Sequence, residues 1–156
     1  EADRRAEKAL AAKAKTVVLL TGTPRRGGEE LALADAAHPV QSITVTFPTA
    51  FGLSPQTSAL TPTISARSFA AKLMAMTDGG ADRRTGRLPV MIASDYWDGD
   101  QHITDRAIYD IVWQTEGRLL LGRSLKLDGL ILREREKPDQ ARVDALWSRV
   151  APASRN

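Results

Sequence analysis

At 156 residues and 17.0 kDa the chain is long enough for one hydrophobic core and too short for two. Its 42% hydrophobic and 26% charged residues are ordinary globular values that exclude wholesale disorder, and the lack of cysteine excludes disulfides, thiolate catalysis and cysteine-ligated metal. The formal charge of +3, from 22 Lys+Arg against 19 Asp+Glu, is carried by scattered pairs such as Arg4-Arg5, Arg25-Arg26 and Arg83-Arg84, which argues against a nucleic-acid footprint.

Residues 2–15, ADRRAEKALAAKAK, are strong helix formers with Asp3 near the start and lysines at the end, as the helix dipole favours. They predict a helix rather than a signal peptide, with a shallow alanine face carrying one leucine, Leu10, that must pack on the domain or on another chain. No apolar run approaches the roughly 18 residues of a bilayer span, and the opening Glu1 reads as a trimmed end that leaves the compartment open. Thr16–Thr21 is β-branched and apolar, predicting a buried strand that Gly22 through Gly28 break. Glu29–Ala37 has helical spacing, with Leu31 facing Ala34 and Leu33 facing Ala37, until His38-Pro39 ends it. QSITVTF at 41–47 alternates, so Ile43, Val45 and Phe47 predict the dry face of a strand.

From Pro48 to Ser65, three prolines and many hydroxyl residues predict a long loop. ARSFAAKLMAMT at 66–77 follows as a helix with Phe69, Leu73 and Met76 on one face, capped by Asp78-Gly79-Gly80. ADRRTGR at 81–87 reads as a mobile polar stretch, and LPVMIASDYW as a strand. Residues 104–115 fit either period, but Tyr109, Ile111 and Trp113 favour a strand. LLLGRSLKL and GLILRERE read as two strands joined by a hairpin at Asp128-Gly129. After Pro138, DQARVDALWSRV closes the chain as a helix with Val143, Leu146, Trp147 and Val150 on one face.

The glycine-rich stretch carries the main chemical expectation. GTPRRGGEE sets Gly22, Thr23, Arg25, Arg26, Gly27 and Gly28 between a predicted strand and a predicted helix, where backbone N–H groups and the helix dipole attract an anion. GTPRRGGEE after its strand resembles the phosphate loop of the flavodoxin-like FMN reductases, and LLTGTP resembles the third motif of superfamily-two helicases. Either resemblance implies phosphate or nucleotide binding by those six residues. Glu29 and Glu30 place two anions at the same spot, a helix precedes the strand, and neither a flavin-stacking loop nor a Walker A lysine loop occurs.

Asp95, Asp98, Asp100 and Asp105 around Gly99 resemble the oxygen-rich half of a calcium loop, but an EF-hand needs a glycine where Gln101 stands and a bidentate glutamate where Ala107 stands. A turn between two strands is the expected reading. His38 and His102 lack the spacing that prearranges metal ligands, and no strand-elbow-helix serine is present, so no metal or catalytic residue is assigned. Tyr96, Trp97 and Trp113, with Leu10, are the candidate partner-binding residues.

The elements predict an α+β domain over residues 16–150 around one mostly antiparallel sheet with flanking helices, preceded by the helix at 1–15 and followed by a tail at 151–156. An α/β sandwich follows instead if 104–115 is helical. The expected function is a non-catalytic binding or assembly module, one domain or subunit of a larger membrane-associated or extracytoplasmic complex, with a protein partner or second copy and no cofactor. The alternative is a phosphate- or nucleotide-binding enzyme, for flavin or NTP, built on the Gly22–Gly28 loop. Because the bidentate calcium ligand is missing, millimolar calcium is predicted to leave the melting temperature unchanged. Calorimetric saturation that disappears in Asp98→Ala and Asp100→Ala would show otherwise.

Overall fold

Leu31 and Leu33 are both buried, with more exposed residues on either side. Two residues apart on a helix they would point about 200° from each other, so only an extended chain buries both on one surface. Glu30–Ala34 is accordingly a strand in the computed structural model, which describes residues 3–5, 17–77, 84–118 and 122–152. This corrects the helix expected over Glu29–Ala37: its apolar spacing also satisfies a period of two, and pairing on both edges decides for the strand.

Two antiparallel sheets make an α+β fold. The first joins β1 (Thr21–Arg25), β2 (Glu30–Ala34) and β5 (Thr63–Ser65) in the order β1-β2-β5. The second joins β3 (Val40–Thr46), β4 (Gln56–Ala59), β6 (Arg84–Asp98), β7 (Gln101–Arg118) and β8 (Gly122–Glu134) in the order β4-β3-β6-β7-β8. Helices α1 (Ala70–Met76) and α2 (Gln140–Val150) flank them. The strand expected at Thr16–Thr21 begins only at Thr21, and residues 17–20 precede the ladder. The loop expected from Pro48 to Ser65 contains β4 and β5, whose short polar runs carry no period strong enough to read.

The meander β6-β7-β8 dominates, with strands of 15, 18 and 13 residues against a usual five or six. Residues 104–115 fall inside β7, which removes the α/β alternative, and the expected mobile stretch enters β6 from Arg84 onward. Pro89 fits because the β3–β6 ladder stops at Met91, leaving one edge of β6 without a partner there. Asp128-Gly129 is not a hairpin. Val112 pairs with Gly129 and Trp113 with Leu127, so Asp128 is the extra residue of a bulge inside one continuous strand. Gly129 is not among the glycines with positive φ, so the conformation that a two-residue turn requires is absent.

The core lies between the sheets, filled from one side by Leu31, Leu33 and Ile64 and from the other by Ile43, Val45, Ile92, Tyr109 and Ile111. Residues 17–20 enter it through a polar knot. Arg135 binds both oxygens of Asp105, at 3.0 and 2.8 Å, and donates to the carbonyl of Val18, while the Leu20 N–H donates to the Tyr109 hydroxyl at 3.2 Å. On the opposite face of the larger sheet, Val143 and Leu146 of α2 pack on Ile108 and Met91. Asp139 caps α2 by accepting from the Arg142 N–H at 2.8 Å, and Asp144 fastens the helix by accepting both the N–H and the hydroxyl of Thr49. The expected N-terminal helix is described only at 3–5, and most of it, like the cap expected at 78–80, lies outside the described residues.

Trp113, 2% exposed, rests on the bare backbone of Gly86. A Cβ at Gly86 would stand 2.5 Å from the indole Cζ2. Gly86→Ala is predicted to destabilise the protein by about 1–3 kcal/mol, because a buried ring has nowhere to move. At Gly129 a Cβ meets nothing within 4 Å, so Gly129→Ala should stay within about 0.5 kcal/mol of the parent. Urea melts of the two variants make the comparison.

Candidate functional site

The hairpin joining β1 to β2 is turned by Arg26, Gly27 and Gly28, all with positive φ, of which Gly28 at +94° is open only to a residue without a side chain. A Cβ at Gly28 would also stand 2.9 Å from the Lys126 Cβ, so the hairpin tip lies directly on β8. Around that contact, the tip, the 3₁₀ turn Ala66–Ser68 leading into α1, and the first part of β8 border an open groove of about 600 Å³.

Its charged side chains are Arg26, Arg67 and Lys126 on one hand and Glu29 and Glu30 on the other, with Ala66, Ala70 and Leu125 between them. Much of this charge is unspent. Arg26 meets Glu30 only at 3.9 Å with 77% of its own side chain exposed, a pairing worth little in water. Lys126 holds Glu116 at 2.9 Å. Arg67 and Glu29 have no ion partner among the described residues. Ser124 also borders the groove, but its hydroxyl oxygen is buried out of reach of solvent and has no hydrogen-bond partner among the described residues, a state that costs about 1–3 kcal/mol. A second cavity of about 150 Å³, between β3, β4 and β5, meets the groove at Ser65.

The six glycine-rich loop residues separate in this arrangement. Arg26 and Gly27 line the groove, and Gly28 seats the tip against Lys126. Gly22, Thr23 and Arg25 lie in β1, where Gly22 lets that strand approach β8: a Cβ there would be 2.9 Å from the Leu130 Cβ. No helix follows the loop, so the dipole expected to favour an anion is missing. Arg67, Ser124 and Lys126 escaped the sequence reading because they are isolated polar residues far from the loop and from each other in the chain.

The candidate aromatic residues do not form one surface. Trp113 and Tyr96 are core residues, 2% and 3% exposed, which corrects their expected place at a partner surface. Tyr96 lies edge-on to His38 at 5.1 Å, and Trp97 is half-buried beside His102 at 5.3 Å. Leu10 lies outside the described residues.

Each histidine has its own carboxylate. His38 Nδ1 is 2.8 Å from Asp35, and His102 Nε2 is 3.7 Å from Asp95. Burial pushes Asp35 up, but the N–H of Ala37, the His38 ring and the N–H of Leu19 outweigh it and hold the carboxyl below its usual range. The Thr104 hydroxyl lowers Asp95 against the cost of burial, and Ser42 adds to it. Asp98 and Gln101 pair across the turn at Gly99-Asp100, as the turn reading expects. Asp95 and Asp105, each bonded elsewhere, do not converge, and no group of three potential metal ligands exists among the described residues.

No family model matches the chain, and neither a curated protein nor a solved structure matches it.

Among the described residues the most deeply buried carboxylate is Asp110 on β7, 3% exposed, with Arg87 at 3.7 Å and Arg133 at 3.6 Å. Burial raises its pKa above 3.8, and the two guanidiniums offset this only in part. The folded state therefore holds the Asp110 proton more tightly than the unfolded state, and this group's contribution to stability falls as pH rises from 3.8 through the folded value. Asp110→Asn keeps the neutral shape. It is predicted to flatten that fall and to be at least as stable as the parent at pH 7, as read by urea melts across pH 4–7; a large loss at pH 7 would show that the ion pairs outweigh the burial.

Proposed function

We propose that the protein is a non-catalytic binding module and that the groove between the β1–β2 hairpin tip and β8 receives a charged segment of a protein partner. The observation that carries this reading is the unspent charge of the lining: Arg67 and Glu29 lack ion partners among the described residues, and Arg26 is only loosely held by Glu30. Ala66, Ala70 and Leu125 add apolar area between the charges, the mixture of a binding surface with aligning polar contacts. Both signs are present, so complementarity selects a sequence of charges rather than bulk net charge.

The hairpin also supplies the second reading, phosphate or nucleotide binding, because Arg26 and Gly27 do reach the groove. Missing from it are the helix dipole and any convergence of Gly22, Thr23 and Arg25 on the same space.

A random-peptide display selection on the intact chain tests the first reading. Selected peptides are expected to lose about tenfold or more in affinity with Arg67→Glu and with Glu29→Lys. They should bind normally to Trp97→Ala, near the opposite end of the β6–β7 pair from the groove. Peptides indifferent to both groove variants would refute the groove as the site. A melting temperature raised by FMN or ATP, and restored to normal by Arg26→Ala, would favour the nucleotide reading.

A further inference from the structure

We propose that residues 17–25 are an exchangeable arm, which two copies of this chain trade to form a dimer. Each arm then fills, in the second copy, the place it fills here in its own chain, and Arg26, Gly27 and Gly28 are the hinge. The exchange stands apart from the groove reading, and neither depends on the other.

The arm is held as a bound peptide is held. Val18 and Leu20 are buried while Leu19 between them is half exposed, so the chain is extended here and inserts alternate side chains. These residues belong to neither sheet. Their backbone is taken by side chains instead: the Leu19 N–H donates to Asp35 at 3.1 Å, the Leu20 N–H to the Tyr109 hydroxyl at 3.2 Å, and the Val18 carbonyl accepts from Arg135. Strand β1 adds its ladder to β2, from Thr21 opposite Ala34 to Arg25 opposite Glu30, and buries none of its own residues.

Every one of these contacts is made to a residue beyond the hinge in sequence, so a second copy supplies the same set. Exchange keeps what holds the arm and alters only the turn. That turn is weakly made. Arg26 is a side-chain-bearing residue at φ +52°, its carbonyl accepts from the Glu29 N–H at a long 3.4 Å, and its guanidinium meets Glu30 only at 3.9 Å. Straightening the hinge releases the left-handed backbone at Arg26, and the two glycines extend without steric cost. A short strained hinge next to a complete binding place invites exchange once the chain is concentrated.

The lack of cysteine makes the exchange directly readable. Thr23 and Ala32 face each other across the β1–β2 ladder and neither is buried, so Thr23→Cys on one chain and Ala32→Cys on another come within disulfide reach when the arm crosses between copies. The two variants are mixed, unfolded in urea, refolded together at high concentration and oxidised. A mixed disulfide, identified by mass, is expected at about tenfold or more over Thr23→Cys paired with Arg106→Cys, an exposed position on β7.

Gly27→Pro tests the hinge. Proline's fixed negative φ does not fit the +67° of the closed turn, although Gly27 has open space around it, so light scattering should show the dimer fraction rise about tenfold. Arg26→Gly removes the strain and should lower that fraction. Thermal melting verifies the fold of each variant, and the cross-link is read on the parent hinge, so it decides even where Gly27→Pro does not fold. A mixed disulfide no more abundant than the control overturns the exchange. A folded Gly27→Pro that stays monomeric at every concentration overturns it too, as does a dimer of that variant without a cross-link between positions 23 and 32.

Discussion

Strand β1 and its hairpin tip lie against β8 at a distance that side chains would not permit. Gly22 faces Leu130 and Gly28 faces Lys126, and at each point even a single added carbon would be 2.9 Å from its neighbour. Residues without a Cβ allow the three-stranded sheet to close over the meander and cover its apolar face. Much of the core depends on that closure, because it is what buries Leu31, Leu33 and Ile64 in the cluster shared with the meander. The polar knot at Arg135 reinforces it from the other end, tying Val18, just ahead of β1, to Asp105 of β7.

The groove follows from the same geometry. The hairpin tip touches β8 at Lys126, and the space around that contact, between the tip, the turn before α1 and β8, is left open. Charged residues border it for a simple reason: they stand where the sheets stop covering each other, and exposed positions cost nothing to charge. Several exposed or half-buried charges elsewhere are spent locally, as Arg135 on Asp105, Arg142 on Glu134 and Asp144 on Thr49, while Lys72, Arg106 and Arg149, like Arg67 and Glu29, have no ion partner among the described residues.

The far side of the meander is finished differently. Helix α2 covers Met91 and Ile108, and Asp110 lies buried on the same strand face between two arginines that cannot fully compensate its desolvation. Toward the β6–β7 turn, Asp95 collects the hydroxyls of Ser42 and Thr104, a satisfied polar surface from three strands.

Period and local chemistry alone determined β3, the Gly99-Asp100 turn, and the closing helix with its Val143, Leu146 and Trp147 face, and they favoured the strand at 104–115 and with it the α+β class. β3 and the closing helix have apolar spacing that fits one period, whereas 104–115 fits two and was tipped toward the strand by Tyr109, Ile111 and Trp113. Tertiary structure decided the rest. Leu31 and Leu33 satisfied two periods at once, and sheet pairing chose between them. Asp128-Gly129 had the chemistry of a turn, yet β7 continued alongside and made it a bulge. Within the candidate site only Arg26 and Gly27 were legible, as part of a conspicuous loop. Arg67, Ser124 and Lys126 join them because the 3₁₀ turn before α1, the strand and the hairpin tip meet in space, and no local pattern encodes which distant residues two sheets leave uncovered at their margin.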